Sequence, residues 1–193
     1  MFERGVAIIY VTALGSGTAH RIEKALKNAG INCKIFASKK YASRGEEAMQ
    51  KHFSEEIKHI FSEFDAIVGG MAAGRLIRAV APLLGGKLSD PAVVCVDVSG
   101  RFAVSLLSGH YGGANQLAKL IADGIGAMAV ITTASEVVGR KSVEEVARSL
   151  HCKIVNPKSL VDVNALIVDG REIVVTFSGF SNQKVPGSVC GYG

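Results

Sequence analysis

The chain has 193 residues, with 22 Lys plus Arg against 17 Asp plus Glu for a net charge of +5, 48% hydrophobic residues and 22 glycines. That length and apolar content supply one sizeable core with a small attachment, and they exclude a disordered or fibrous chain. The basic excess is modest and spread out. No run of about five or six like charges marks a nucleic-acid arm or a membrane-surface tail, and Lys39, Lys40 and Arg44 read as cations of a solvated loop.

Cys33, Cys95, Cys152 and Cys190 are far apart and form no CxxC pair, so neither a zinc ribbon nor a disulfide framework is indicated. Cys33 and Cys95 fall in apolar runs and read as small buried hydrophobes. The amino terminus lacks the longer apolar region of a secretory signal, and no segment reaches the roughly 20 apolar residues of a membrane span. A cytoplasmic protein is the expectation.

Val6 to Val11 is an apolar, β-branched run. Gly15-Ser16-Gly17 follows it, and then Ile22, Ala25, Leu26 and Ala29 lie at helical spacing, so the opening reads strand, glycine loop, helix, ended by Gly30. Ile31 to Phe36 predicts a second strand. From Glu46 a long helix places Met49, Phe53, Ile57, Ile60 and Phe64 on one side. Ala66 to Val68 makes a short buried strand running into Gly69-Gly70, and a helix near Gly74 to Ala81 is limited by Pro82.

Ala92 to Asp97 and Arg101 to Leu107, joined by Val98-Ser99-Gly100, read as a hairpin. A helix from about Ala114 to Ile125 and a strand from Ala129 to Thr132 follow. Alternating strands and helices, with strands apolar on both faces, predict an α/β fold: a doubly wound, mainly parallel but mixed sheet with helices on both faces. The ligand-binding domain is expected to span 1–138. Residues 139–193 form an appendage with a capping-box spacing at Ser142 and Glu145, a helix after Asn156-Pro157, a strand from Glu172 to Phe177 and a glycine-rich tail.

In such sheets ligands bind beyond the carboxyl ends of the strands, where helix amino termini offer unpaired N–H groups. Three stretches fit that description, Thr12 to Thr18, Gly69 to Arg78 and Ser108 to Asn115, and they are expected to cluster on one edge. Gly15-Ser16-Gly17 lacks the third glycine of a dinucleotide fingerprint, and Arg75-Leu76 stands where a P-loop needs Lys and Ser or Thr. Arg75 and Arg78 instead suit carboxylates, which guanidinium forks match bidentately.

The third stretch, Ser108-Gly109-His110-Tyr111-Gly112-Gly113-Ala114-Asn115, sets a hydroxyl, an imidazole and an amide among glycines, which suits binding or proton transfer. Asp97, Asp90, Ser105 and Ser108 are all conceivable partners for His110. His20, His52, His59 and His151 read as surface positions, and no metal-ligand spacing links them.

Arg78 to Leu84, Ser89 to Asp97, Gly100 to His110, Gly112 to Asn115 and Ile131 to Ala134 together closely resemble the cobalt-precorrin-5A hydrolase family, the CbiG type, of anaerobic cobalamin biosynthesis. The likeness is strongest from about Asp65 to Ala134. It implies an enzyme that opens the δ-lactone of cobalt-precorrin-5A and releases acetaldehyde to give cobalt-precorrin-5B, with cobalt part of the substrate and no separate cofactor or metal.

On that reading His110 is the acid/base, Asp97 orients it or the attacking water, and Ser108 with the Gly109 to Gly113 amides stabilises the oxyanion. Arg75, Arg78 and Arg101 take substrate carboxylates, with Gly15, Ser16, Gly17, Gly109, Gly112, Gly113, Asn115, Thr132 and Thr133 as further contacts. Longer members continue into a carboxyl-terminal domain that nothing here resembles, so a separate protein supplying that part is an expected partner, and a homodimer is a further expectation. The competing readings are a corrinoid-binding subunit without turnover and a nucleotide-binding α/β domain.

Overall fold

The computed structural model describes residues 2–86, 89–150, 152, 154–171 and 173. Two compact units divide the chain, Met1–Ile131 and Thr132–Gly193, where the sequence reading places its boundary after residue 138.

The first unit is a seven-stranded sheet in the order β3-β2-β1-β4-β5-β6-β7. Its strands are β1 (Val6–Tyr10), β2 (Cys33–Ser38), β3 (Glu47–Met49), β4 (Ala66–Gly70), β5 (Ala92–Val96), β6 (Phe102–Leu107) and β7 (Met128–Val130). β1 to β5 run parallel, while β6 pairs antiparallel with β5 and parallel with β7. The sheet is therefore mixed and mostly parallel, as the apolar runs and the Val98-Ser99-Gly100 turn lead one to expect.

Four helices cover it: α1 (Ala13–Asn28), α2 (Phe53–Glu63), α3 (Ala73–Val80) and α4 (Ala114–Ile125). The two-residue alternation of the strands sorts the core into two layers. Val6, Ile8, Tyr10, Val68 and Val94 pack with Ile22, Leu26, Leu117 and Ile121 of α1 and α4. Ala7, Ile9, Ile67 and Val93 pack with Ile57, Ile60, Leu76 and Val80 of α2 and α3. Each such aliphatic side chain taken fully out of water contributes roughly 1.5–3 kcal/mol. Between α1 and α4 there is no room for another atom: a Cβ at Gly124 would stand 2.4 Å from that of Ala25.

Two local expectations are corrected. Gly15-Ser16-Gly17 is not a loop but the first turns of α1, because Thr12 takes the N-cap and its Oγ1 accepts from the Gly15 amide at 3.3 Å. Gly15 is needed there for close packing, since a Cβ would lie 3.2 Å from both the Gly70 carbonyl oxygen and Tyr10 Cβ. The helix expected from Glu46 instead begins at Phe53, and Glu47–Met49 pairs with Phe36–Ser38 as the edge strand β3. Met49 matches the helical period by coincidence; its burial comes from the sheet.

In the second unit, α5 (Ala134–Val137), α6 (Val143–Ser149) and α7 (Leu160–Val168) follow in turn. The capping box forms in full: the Ser142 amide donates to Glu145 Oε2 at 2.9 Å and the Glu145 amide to Ser142 Oγ at 3.2 Å. Asn164 ties α7 to α6, donating to Glu144 at 2.7 Å and accepting from the Val143 amide at 3.0 Å. The expected strand from Glu172 to Phe177 and the tail beyond it lie outside the described residues, Ile173 apart.

Candidate functional site

The direction of β6 decides which residues meet. The carboxyl ends of β1 to β5 share one edge of the sheet, and the first turns of α1 and α3 and the β5–β6 turn lie on that edge. Because β6 runs the other way, the stretch that follows it returns to the amino edge. Leu107 lies beside Val93, and Ser108 Oγ donates to the Asp90 carbonyl at 3.1 Å. Phe102 to Leu107 spans about 17 Å at the antiparallel rise, so the histidine turn and the Asp97–Arg101 turn are that far apart. The three stretches do not form one cleft, and Asp97 does not orient His110.

At the carboxyl edge, Asp97 is committed to its own turn. It accepts from the amides of Arg101 at 2.7 Å, Phe102 at 2.8 Å and Ser99 at 3.2 Å, with the Arg101 guanidinium 3.6 Å away. Burial alone would push its carboxyl up, but these amides and the guanidinium together hold it below the ordinary value. Thr18 donates to the Val98 carbonyl at 2.8 Å and so ties α1 to this turn. Arg75 is exposed and its guanidinium stacks over Phe53 at 4.9 Å. Arg101 lies over Phe102 at 5.5 Å. Arg78, in the last turn of α3, folds back to donate to the Gly74 carbonyl at 3.1 Å.

A polar cluster that the sequence reading missed flanks α1. The Tyr10 hydroxyl lies 2.7 Å from Glu46 Oε2 and 2.8 Å from the Tyr41 carbonyl, and the Ser43 amide donates to the same carboxylate at 2.6 Å. His20 Nε2 stands 3.3 Å from Glu46 Oε1, whose side chain is only 3% exposed. Burial, reinforced by the Glu46 carboxylate and only partly offset by Ser16, raises the Tyr10 phenol. His20 is exposed, as expected; its partner, 26 residues on, gives no local signal.

At the amino edge, the histidine turn is tightly built. The β5–β6 register slips by one residue just before it, between Val93 and Val94, leaving a bulge of the kind found beside functional sites. Ser108 has φ 56, the left-handed region that costs a non-glycine residue about 1–2 kcal/mol. Gly112 closes the turn, since a Cβ there would lie 2.5 Å from Ser108 Cβ and 2.9 Å from the Ser108 carbonyl oxygen. Gly113 caps α4 at φ 87. Ser108 and Gly109 carbonyls accept from the Ala114 and Asn115 amides, each at 3.2 Å, which takes those two amides out of any oxyanion site. Asn115 is buried and hydrogen-bonds Ser105 at 2.8 Å. His110 is half-buried.

Gly109, Gly112, Gly113, Asn115, Ser108 and His110 are thus together. Gly15, Ser16, Gly17, Arg75, Arg101 and Asp97 belong to the opposite edge, and Thr132 and Thr133 open the second unit. Among the described residues no group of three His, Cys, Asp or Glu could hold a metal ion, and no helix is long and apolar enough to cross a membrane.

Comparison with known proteins adds what geometry does not. The model described as cobalamin synthesis G N-terminal matches residues 55–136, and the CbiG-like linker domain matches 141–192. The chain belongs to the CbiG family. It is 32% identical over 169 residues to the cobalt-precorrin-5A hydrolase of Salmonella typhimurium, covering 87% of this chain and 47% of that protein. Against the enzyme of that name from Priestia megaterium the identity is 28%, covering 88% and 46%. A crystal structure of a cobalamin biosynthesis protein G homolog from Sulfolobus solfataricus superposes with a TM-score of 0.63 at 28% identity, over 96% of this chain and 52% of that one. The chain therefore spans about half the length of its CbiG relatives. Its histidine turn, Arg75 and Asp97 lie within the CbiG N-terminal match, whereas Tyr10, His20 and Glu46 precede it.

Proposed function

We propose that this chain acts on cobalt-precorrin-5A, as part of the hydrolysis that opens its δ-lactone and releases acetaldehyde. The observation that carries this is the 32% identity, over 87% of the chain, to a curated cobalt-precorrin-5A hydrolase. Water adds to the lactone carbonyl and the acyl C–O bond breaks. A carboxylate then stays on the macrocycle and a hydroxyl on the two-carbon bridge. Loss of the hydroxyl proton forms the carbonyl of acetaldehyde as the C–C bond breaks; the electron pair stays with the macrocycle, which takes up the proton. One water is consumed in all.

The carboxyl edge suits binding. Arg75 and Arg101 are exposed guanidiniums, the form that matches acetate and propionate groups, and doubly wound sheets take ligands at this edge. A second reading puts proton transfer at the histidine turn, with His110 as acid/base and Ser108 as a donor; the left-handed Ser108, held in place by Gly112, favours it. The two turns lie about 17 Å apart at opposite edges of the sheet, so the two readings part experimentally.

The test is acetaldehyde release from the cobalt lactone by the purified chain, alone and mixed with the carboxyl-terminal half of the Salmonella relative. Acetaldehyde formed in either mixture, with Arg75→Ala and Arg101→Ala each raising KM several-fold and leaving kcat, supports the first reading. Loss of kcat in His110→Ala with KM unchanged supports chemistry at the turn. Tight binding of the lactone with no acetaldehyde in either mixture would reduce the chain to a corrinoid-binding subunit.

A further inference from the structure

The loop between β2 and β3 carries Lys39, Lys40 and Arg44, all exposed, and among the described residues none of the three is ion-paired. Its single acid in that stretch, Glu46, points the other way: its side chain is 3% exposed and faces α1 and β1. The charges on the outward face of the loop are thus all positive. The loop is also fixed at three points among its cations. The Tyr41 amide donates to the Ser38 carbonyl at 2.7 Å, the Tyr41 carbonyl lies 2.8 Å from the Tyr10 hydroxyl, and the Ser43 amide bonds Glu46. Lys40 Nζ is further steadied over the Tyr41 ring, 5.3 Å from its centre.

Glu46 is held from two neighbouring elements. His20 of α1 sets Nε2 3.3 Å from Glu46 Oε1 and Nδ1 2.9 Å from the Ser16 carbonyl, and Tyr10 of β1 brings its hydroxyl 2.7 Å from Oε2.

We propose that residues 39–46 form a carboxylate-binding arm, held against α1 and β1 by the buried Glu46. The proposal rests on the polycarboxylate substrate suggested above and deepens it. The arm stands at the carboxyl end of β2, on the edge that already bears Arg75 and Arg101, and it presents three point charges on fixed backbone, so little ordering is lost on binding. His20 and Glu46 are positioning residues: they act through the arm.

The probe is uroporphyrin, a porphyrin with eight carboxylates, titrated against the full chain by fluorescence at fixed salt. Replacing Lys39, Lys40 and Arg44 together by Ala is expected to weaken binding about tenfold, the product of three exposed ionic contacts. Glu46→Ala, which frees the arm with its cations intact, weakens it several-fold. Glu46→Gln, whose amide oxygen can still accept from Tyr10 and the Ser43 amide, recovers most of that loss.

If the triple variant binds within twofold of wild type while Arg75→Ala weakens binding, the arm is wrong and the polycarboxylate reading stands. A wild-type chain that ignores uroporphyrin sinks both. A Glu46→Ala variant that binds as tightly as wild type overturns the positioning role of Glu46.

Discussion

The two edges of the sheet hold their loops by different means. At the carboxyl edge the chain turns on side-chain hydrogen bonds: Thr12 caps α1, Asp97 gathers three amides of its own turn, and Glu46 is drawn inward by Tyr10, Ser43 and His20. The cations there stand in water. At the amino edge, the histidine turn is set by backbone shape, with a bulge, a left-handed serine and a glycine pressed against it. Polar side chains can be re-paired after a substitution, whereas a filled backbone turn has nowhere to move. The carboxyl edge should therefore tolerate change and the amino edge should not.

Placing the same methyl group at the two edges gives the sharpest break between them. Gly112→Ala is expected to cost about 2–3 kcal/mol in urea denaturation, because the added carbon overlaps Ser108. Gly17→Ala, on a helical position with open space around it, should gain roughly 0.5–1 kcal/mol. Losses of similar size at both would end the distinction.

Ser108 refines it. Ser108→Ala keeps the left-handed strain and removes the bond to Asp90, for a loss of about 1 kcal/mol. Ser108→Gly loses the same bond but relieves the strain, and so should unfold within roughly 0.5 kcal/mol of wild type. If the glycine variant is the weaker of the two, the serine is not strained.

The smallest effect lies in acid. The Asp97 carboxyl is held below its ordinary value in the fold, so its stabilisation is fully present above about pH 4 and fades as pH falls through the folded-state value. Asp97→Asn should be less stable than wild type by roughly 0.5–1 kcal/mol at neutral pH, the gap closing as the medium is acidified. A gap independent of pH would assign the turn to shape rather than charge.

Much of the fold was legible because apolar runs and turn residues act locally. β1, β4 and β5 follow from apolar stretches, α4 from apolar residues at helical spacing, and the hairpin from Val98-Ser99-Gly100. β3 was not legible: with three residues and one buried side chain, it carries less signal than the helical period that happens to include Met49. The site failed at a different step. Reading β6 as antiparallel was correct, yet that reversal sends His110 away from Arg75, and only pairing register makes the consequence visible. The link from Tyr10 through Glu46 to His20 spans three elements, and no spacing rule connects them.

The bare contact between Ala25 and Gly124 has a mechanical meaning. With no side chain between them to yield, α1 and α4 form one stiff plank across a face of the sheet. The basic arm leans on α1, and the histidine turn is the root of α4. A load applied at either rim would therefore be borne by both helices as a single body.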